Sequence, residues 1–191
     1  MGKSRLEAFS DGVLAVIITI MVLEMRAPAG ATLAALLPVL PVFLVYVLSF
    51  IYIGIYWNNH HHMLHAVERI DGRSMWANLH LLFWLSLVPF VTGWMGGNQF
   101  AAVPTALYGV VLLMAAISYT LLQNSLVATN PHHATLARAV GRDFKGKFSV
   151  VCYVAAIPLA FVSQWIADAL YVFVAIMWVV PDRRIEKVTA A

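Results

Sequence analysis

The sequence predicts an all-α polytopic membrane protein with six transmembrane helices. Of its 191 residues, 62% are hydrophobic and 11% are charged, so too few charges are present to cover a soluble globule. Long apolar segments alternate with short polar or Gly/Pro-containing stretches, and nothing suggests an internal domain boundary. We therefore expect one domain, 1–191, with helices at about 4–26, 32–58, 75–95, 101–127, 148–163 and 165–180.

The first helix carries an acid near each end. It is expected to stop before Pro28, and only 12 uncharged residues separate Asp11 from Glu24. That stretch is roughly 18 Å long at 1.5 Å per residue, shorter than the ~20 residues of a lipid-facing span. Both acids are therefore expected to face protein or water. An alternative, a signal peptide cleaved after Ala29, is disfavoured because Asp11 would interrupt its apolar core.

Proline and glycine mark the limits of the later segments. Pro38 and Pro41 lie in the first turns of the second helix, where missing amide donors matter least. Pro89 interrupts the third helix. We expect a polar loop over 59–74 and a basic connector over 128–147.

The basic residues predict the orientation in the membrane. Eleven of the 12 Lys and Arg residues fall in the segments 1–7, 59–74, 128–147 and 181–191, and only Arg26 falls on the other side. The positive-inside rule then places both termini in the cytoplasm and requires an even number of helices. These charges are scattered over separate loops and form no continuous patch, so a nucleic-acid partner is not expected.

One face of the first helix is purely aliphatic. Val16, Ile20 and Leu23 fall within about 60° of one another at 100° per residue, whereas Asp11 projects roughly 140° from Val16. Carboxylates inside membranes are usually satisfied by a partner within the bundle, so we expect the Asp11 face to be the packed one. Ordinary helix packing is the commoner explanation of an aliphatic stripe, but it would leave this face without a specific role.

The start of the chain resembles a known family. Arg5, three further residues and then Phe9-Ser10-Asp11 precede an apolar helix that ends Val22-Leu23-Glu24. This pattern resembles the signature that opens the transmembrane protein 175 family of potassium channels. The segment from Trp57 to His65 also resembles the end of the second helix of that family.

The resemblance implies an assembly and a pore. Single-repeat prokaryotic members are homotetramers of six-helix subunits, and their first helix lines the pore. Their stacked apolar constrictions occupy positions five, nine and twelve residues after the signature Asp, which here are Val16, Ile20 and Leu23, and Thr19 borders the same face. Such rings close by dewetting and favour K⁺, which holds its water less tightly than Na⁺.

The expected function is a potassium-preferring cation channel in a bacterial-type inner membrane. Its partners would be other copies of itself, the lipid bilayer and permeant K⁺, with no cofactor and no enzymatic activity. No TVGYG-type filter is present, so selectivity should be modest. The alternatives are a proton-conducting channel or a secondary transporter and, less favoured, an intramembrane metal-dependent enzyme. The chain shows no inverted repeat, HExxH or Gly-x-Ser-x-Gly motif in support of them.

A polar cluster is expected at the cytoplasmic end of the first helix, holding it against the second and third helices. Within the histidine run 60–65, His61 and His65 share a helix face, so a metal site, hydrogen bonding between helices and pH sensing all remain possible, with hydrogen bonding favoured. The lone cysteine, Cys152, is interpreted as a packing residue. The predicted members of the cluster are Arg5, Phe9, Ser10, Asp11, Trp57, His61, Asn78 and His80.

Overall fold

The computed structural model describes residues 2–131 and 143–179. All regular secondary structure within these residues is helical. A short 3₁₀ helix, Leu33–Val39, precedes α2, and α3 and α4 together form one apolar segment with a break between them. The described residues therefore form six helical segments, and the predicted all-α fold class is confirmed. The helices are α1 (Lys3–Leu23), α2 (Leu40–His65), α3 (Gly72–Ser86), α4 (Val88–Gly97), α5 (Ala102–Thr129), α6 (Phe144–Leu159) and α7 (Gln164–Val179).

Several of these segments are suited to a membrane. Among the described residues, four segments are long and apolar enough to cross a bilayer: Lys3–Leu23, Leu33–His65, Gly72–Gly97 and Ala102–Thr129. The helix Gln164–Val179 is apolar but shorter. The basic residues Arg138 and Arg142 of the connector and Arg183, Arg184 and Lys187 near the C-terminus lie outside the described residues.

The break between α3 and α4 is caused by Pro89. Pro89 lies in the first turn of α4 and has no backbone N–H to donate to the preceding turn. Leu87 separates the two helices, and its N–H bonds to the Trp84 carbonyl at 3.2 Å in a tighter turn. The predicted interruption of the third segment thus divides it into two helices.

The second helix extends beyond its predicted end, and the prediction of a loop from residue 59 was wrong. The helix continues to His65, so the histidine run is helical. Its polar residues do not end the helix because they bond back to it, as Asn59 does through Nδ2 to the Ile55 carbonyl at 2.8 Å. The next glycine, Gly72, comes only at the start of α3.

The true loop between α2 and α3 is held by a buried asparagine at the end of α5. The Oδ1 of Asn130 accepts hydrogen bonds from the N–H groups of Glu68 and Arg69 at 3.2 and 3.0 Å, and its Nδ2 donates to the Arg69 carbonyl at 2.9 Å. Asp71 then caps α3 by accepting from the Ser74 N–H at 2.8 Å. This hydrogen bond lowers the pKa of the Asp71 carboxyl, since it favours the charged form.

The start of α6 also precedes its predicted position, at Phe144 instead of residue 148. The cause is Asp143, which caps the helix by accepting a hydrogen bond from the Gly146 N–H at 2.8 Å. The helix ends at Leu159, and a short turn leads to α7 at Gln164.

Candidate functional site

The exposed face of α1 is the candidate functional surface. Leu6, Ser10, Leu14, Ile17 and Met21 are buried, and their spacing of three or four residues makes one continuous stripe along the helix. This stripe packs against α2, α3 and α4. Val13 and Ile18 border this stripe and are partly buried, and most of the remaining circumference of α1 is exposed.

The aliphatic ridge predicted from the sequence lies on this uncovered side. Val16 is 56% exposed, Ile20 41% and Leu23 74%, although each is a large apolar side chain. Thr19 lies beside them and is also exposed, and its hydroxyl donates to the Ala15 carbonyl at 2.9 Å. The chain therefore presents a row of branched side chains that its own fold does not cover, which is a surface for other copies, lipid or an aqueous path.

A chain of buried hydrogen bonds fixes the N-terminal half of α1. The Nδ2 of Asn78 in α3 donates to the Ser10 hydroxyl at 3.0 Å, and that hydroxyl donates to the Leu6 carbonyl at 2.8 Å. The amide nitrogen of Asn78 is the donor to Ser10, so the atom of Asn78 that faces His60 of α2 is Oδ1. This oxygen accepts a hydrogen bond from Nε2 of His60 at 2.7 Å. Ser10, Asn78 and His60 form a buried polar chain that joins α1, α3 and α2.

A second bond joins α1 to α2 at the surface. The indole Nε1 of Trp57 donates to Oδ1 of Asp11 at 3.1 Å. Asp11 is exposed in the subunit, so the expectation that its face would be the packed one was wrong. The polar residue that packs inside the bundle is its neighbour Ser10, which needs only hydrogen bonds and carries no charge to desolvate.

The structure brings together four of the eight predicted cluster residues, Ser10 with Asn78 and Asp11 with Trp57. His61 does not join the buried chain but stacks on Trp57, with ring centroids 6.3 Å apart, and on His65 at 6.1 Å. The buried position falls to His60, since one residue turns the side chain by 100°. The sequence analysis placed His61 and not His60 in the cluster, because residue spacing alone does not show which face of a helix packs against its neighbours.

The other predicted members lie elsewhere. His80 accepts from Nε1 of Trp84 and bonds through Nδ1 to the Ser118 hydroxyl, both at 3.0 Å, so it joins α3 to α5 and not to α1. Phe9 is about half exposed. Arg5 is exposed, and no side-chain hydrogen bond or ion pair of Arg5 occurs within residues 2–131 and 143–179.

The C-terminal end of α1 carries the second acid. Glu24 is the C-cap residue of α1 and is exposed. Its Oε2 lies 2.6 Å from the point where a Cβ on Gly93 of α4 would be, so the glycine leaves room for the carboxylate. In the described part of the chain, no group of three or more His, Cys, Asp or Glu residues could hold a metal ion.

Comparison with known proteins decides the family. The family model described as "Endosomal/lysosomal potassium channel TMEM175" matches residues 5–89, which contain most of α1 and all of α2 and α3. A protein of Chryseobacterium sp. (strain P1-3) that is named a potassium channel is 52% identical over 187 residues, which are 98% of this chain and 97% of that relative. The chain belongs to the TMEM175 family.

Other TMEM175 relatives extend the likeness over the later helices. A protein of Streptomyces collinus, also named a potassium channel, is 32% identical over 189 residues, covering 92% of this chain and 91% of its own. The crystal structure of a lysosomal potassium-selective channel TMEM175 homolog from Chamaesiphon minutus matches with a TM-score of 0.81 and 30% identity. That match covers 93% of this chain and 96% of the other, so the shared fold includes helices beyond residue 89.

Proposed function

We propose that this TMEM175 chain is one subunit of a homotetrameric, potassium-preferring cation channel. The observation that carries the proposal is the uncovered ridge of Val16, Ile20 and Leu23, whose opposite helix face is packed in the bundle. Relatives over nearly the whole length are named potassium channels. A single ridge cannot enclose an ion path, and closed symmetric association of several copies turns it into one.

In this channel the three ridge residues form three stacked apolar rings. The rings lie about 4.5–6 Å apart along α1 at 1.5 Å per residue. Narrow apolar rings expel water in the closed state, and in the open state they force a cation to shed part of its hydration shell. K⁺ loses its water at lower cost than Na⁺, so the rings favour K⁺ without a carbonyl filter.

The buried chain of Ser10, Asn78 and His60 has a positioning role in the proposal. It joins the inner half of α1 to two neighbouring helices and so fixes the rotation of α1 about its own axis. Rotation decides which side chains face the fourfold axis, because neighbouring residues differ by 100°. The hydrogen bond from Trp57 to Asp11 also restrains the rotation of α1, nearer the surface of the subunit.

The proposed location is a bacterial-type plasma membrane, with both termini in the cytoplasm. The basic residues of the loops support this orientation through the positive-inside rule. Glu24 then lies at the outer end of the pore helix, where four copies would attract cations to the mouth. The protein is not an enzyme, and the proposed permeant ion is K⁺.

Flux through the purified protein tests the proposal. Liposomes loaded with K⁺ and containing the protein should release K⁺ down its gradient, while protein-free liposomes should not. Mass measurement in mild detergent should give four subunits. Proton flux in place of K⁺ flux would favour the proton-conducting alternative, and only monomers or dimers in detergent would contradict the assembly.

A further inference from the structure

The carboxylate of Glu24, at the end of α1 beyond the ridge, lies against Gly93 of α4. Its Oε2 is 2.6 Å from the point where a Cβ on Gly93 would be, and its carboxyl carbon is 3.8 Å from that point. A side chain at residue 93 would therefore overlap the carboxylate. The glycine is what makes this position of Glu24 possible.

The three glycines of α4 have different surroundings. A Cβ on Gly96 would lie against the backbone of Val42 in α2, whereas a Cβ on Gly97 would have nothing within 4 Å. Gly93 faces the carboxylate of Glu24 instead. The contact between α1 and α4 at this point therefore belongs to one glycine, and Gly97 provides a matched position for comparison.

Glu24 lies at the border between the two faces of α1. Its backbone angles are still helical, with φ −73° and ψ −17°. At 100° per residue it lies about 40° from Ile20 of the ridge and about 60° from the buried Met21. The side chain can therefore extend toward α4 or toward the ridge, and the space beside Gly93 accommodates it on the α4 side.

The carboxylate of Glu24 is otherwise unrestrained in the described part of the chain. Glu24 is exposed and forms no side-chain hydrogen bond or ion pair within residues 2–131 and 143–179. Arg26, two residues further along, is also exposed and forms no ion pair with it. The position of this charge therefore depends on the space that Gly93 leaves.

We propose that Gly93 positions Glu24 so that the four carboxylates of the tetramer stay back from the pore axis at the outer mouth. The inference rests on the proposed channel and adds the residue that places this charge. Carboxylates near the mouth raise the local concentration of K⁺. Four carboxylates crowded around the axis would also supply the several oxygen ligands that Ca²⁺ requires. Held against α4, they attract monovalent cations without retaining a divalent one.

A methyl group at residue 93 tests the proposal. In Gly93→Ala the methyl group takes the space of the carboxylate, so the side chain of Glu24 turns toward the ridge. The displaced atoms are the end of a flexible, exposed side chain, so the tetramer should still form. With Ca²⁺ added on both sides of a planar bilayer, half-block of the K⁺ current should need an at least about tenfold lower concentration than in the unaltered channel. Gly97→Ala should leave the block unchanged.

Glu24→Gln shows whether the effect of residue 93 acts through the carboxylate. At about 10 mM KCl its K⁺ conductance should be about twofold or more below that of the unaltered channel, because the charge acts over about 30 Å at that salt concentration. At about 1 M KCl, where the charge is screened within about 3 Å, the two conductances should be equal. Adding Gly93→Ala to Glu24→Gln should not increase the block by Ca²⁺.

The outcomes separate this inference from the proposed function. Equal block by Ca²⁺ in Gly93→Ala and the unaltered channel would overturn the positioning role and leave the channel in place. Increased block that persists when Glu24 is replaced by Gln would do the same. No K⁺ current from the unaltered protein at about 1 M KCl, a concentration at which surface charge is screened, would contradict the proposed function and the inference with it.

Discussion

The indole of Trp57 in α2 donates a hydrogen bond to the carboxylate of Asp11 in α1 at 3.1 Å. The bond lies at the surface of the subunit, one residue from Ser10, which is fully buried. Adjacent residues of α1 are thus bonded to different helices, Ser10 to α3 and Asp11 to α2. Together the two bonds resist rotation of α1 in either direction.

Removing the indole donor should weaken assembly before it alters ion preference. In Trp57→Phe the aromatic ring remains but Asp11 loses its partner, so the fraction of tetramer in size-exclusion chromatography should fall. Adding Asp11→Asn to this variant should cost little more, because the two changes break the same bond. Trp76→Phe, at a largely exposed tryptophan of α3, is the matched control. Normal tetramers with altered ion preference would instead place Asp11 in the ion path.

Breaking the buried chain should cost more than breaking the surface bond. Asn78→Leu leaves the buried Nε2 of His60 without its partner, at about 1–3 kcal/mol, and removes one of the two hydrogen bonds of the Ser10 hydroxyl. Unfolding in mixed micelles should show a loss of about 2 kcal/mol or more. His61→Ala, one position from His60 but exposed, should change the free energy of unfolding little. A larger loss for His61→Ala than for Asn78→Leu would contradict the network.

Two adjacent glycines of α4 should differ sharply in their tolerance of a methyl group. A Cβ on Gly96 would lie 2.5 Å from Cα of Val42, so α4 and α2 would have to separate. On Gly97 nothing lies within 4 Å, and alanine there restricts the unfolded chain without a clash. Thermal unfolding should show a marked loss for Gly96→Ala and no loss for Gly97→Ala. Equal effects would show that the two helices do not approach so closely.

One acid of α7 is expected to destabilise the bundle. Both carboxyl oxygens of Asp168 in α7 are buried with no hydrogen-bond partner in the described part of the chain. Replacing an unpaired buried polar group by an apolar one of similar size removes a cost of about 1–3 kcal/mol. Asp168→Leu should therefore raise the unfolding temperature, whereas Asp168→Asn, which keeps an unpaired polar group, should raise it less. A lower unfolding temperature in Asp168→Leu would indicate a partner for this acid.

The sequence was sufficient for the all-α fold class because long apolar stretches alternate with residues that end helices. Pro89 marked the break between α3 and α4, and glycine and proline marked most turns. The end of α2 was predicted too early because the polar residues from Asn59 onward were interpreted as a loop. In fact Asn59 bonds to its own helix, so the helix continues to His65.

The sites were harder to predict because they depend on how helices rotate against one another. His60 and His61 are neighbouring residues of the same type, and they differ only in the side of α2 on which each lies. Tyr56 of α2 and Tyr119 of α5 meet edge to face with ring centroids 6.0 Å apart, and this contact depends on packing between residues far apart in the chain. The ridge of α1 was visible because it lies within one helix.

Val22 provides a control position for substitutions on the ridge of α1. Val22 is an exposed valine of α1, two residues beyond Ile20 and about 160° from it around the helix. Asparagine at Ile20 or Leu23 should let water persist in the closed pore, which raises basal current and weakens the preference for K⁺. Val22→Asn should reduce stability or assembly with no gain in current.

The bi-ionic reversal potential of the reconstituted channel, with K⁺ on one side and Na⁺ on the other, tests most directly whether α1 lines the pore. Ile20→Asn and Leu23→Asn should move this potential toward zero and increase basal current, while Val22→Asn should leave the potential of any functional tetramers where it is in the unaltered protein. An unchanged potential and an unchanged basal current in both ridge variants would remove α1 from the ion path.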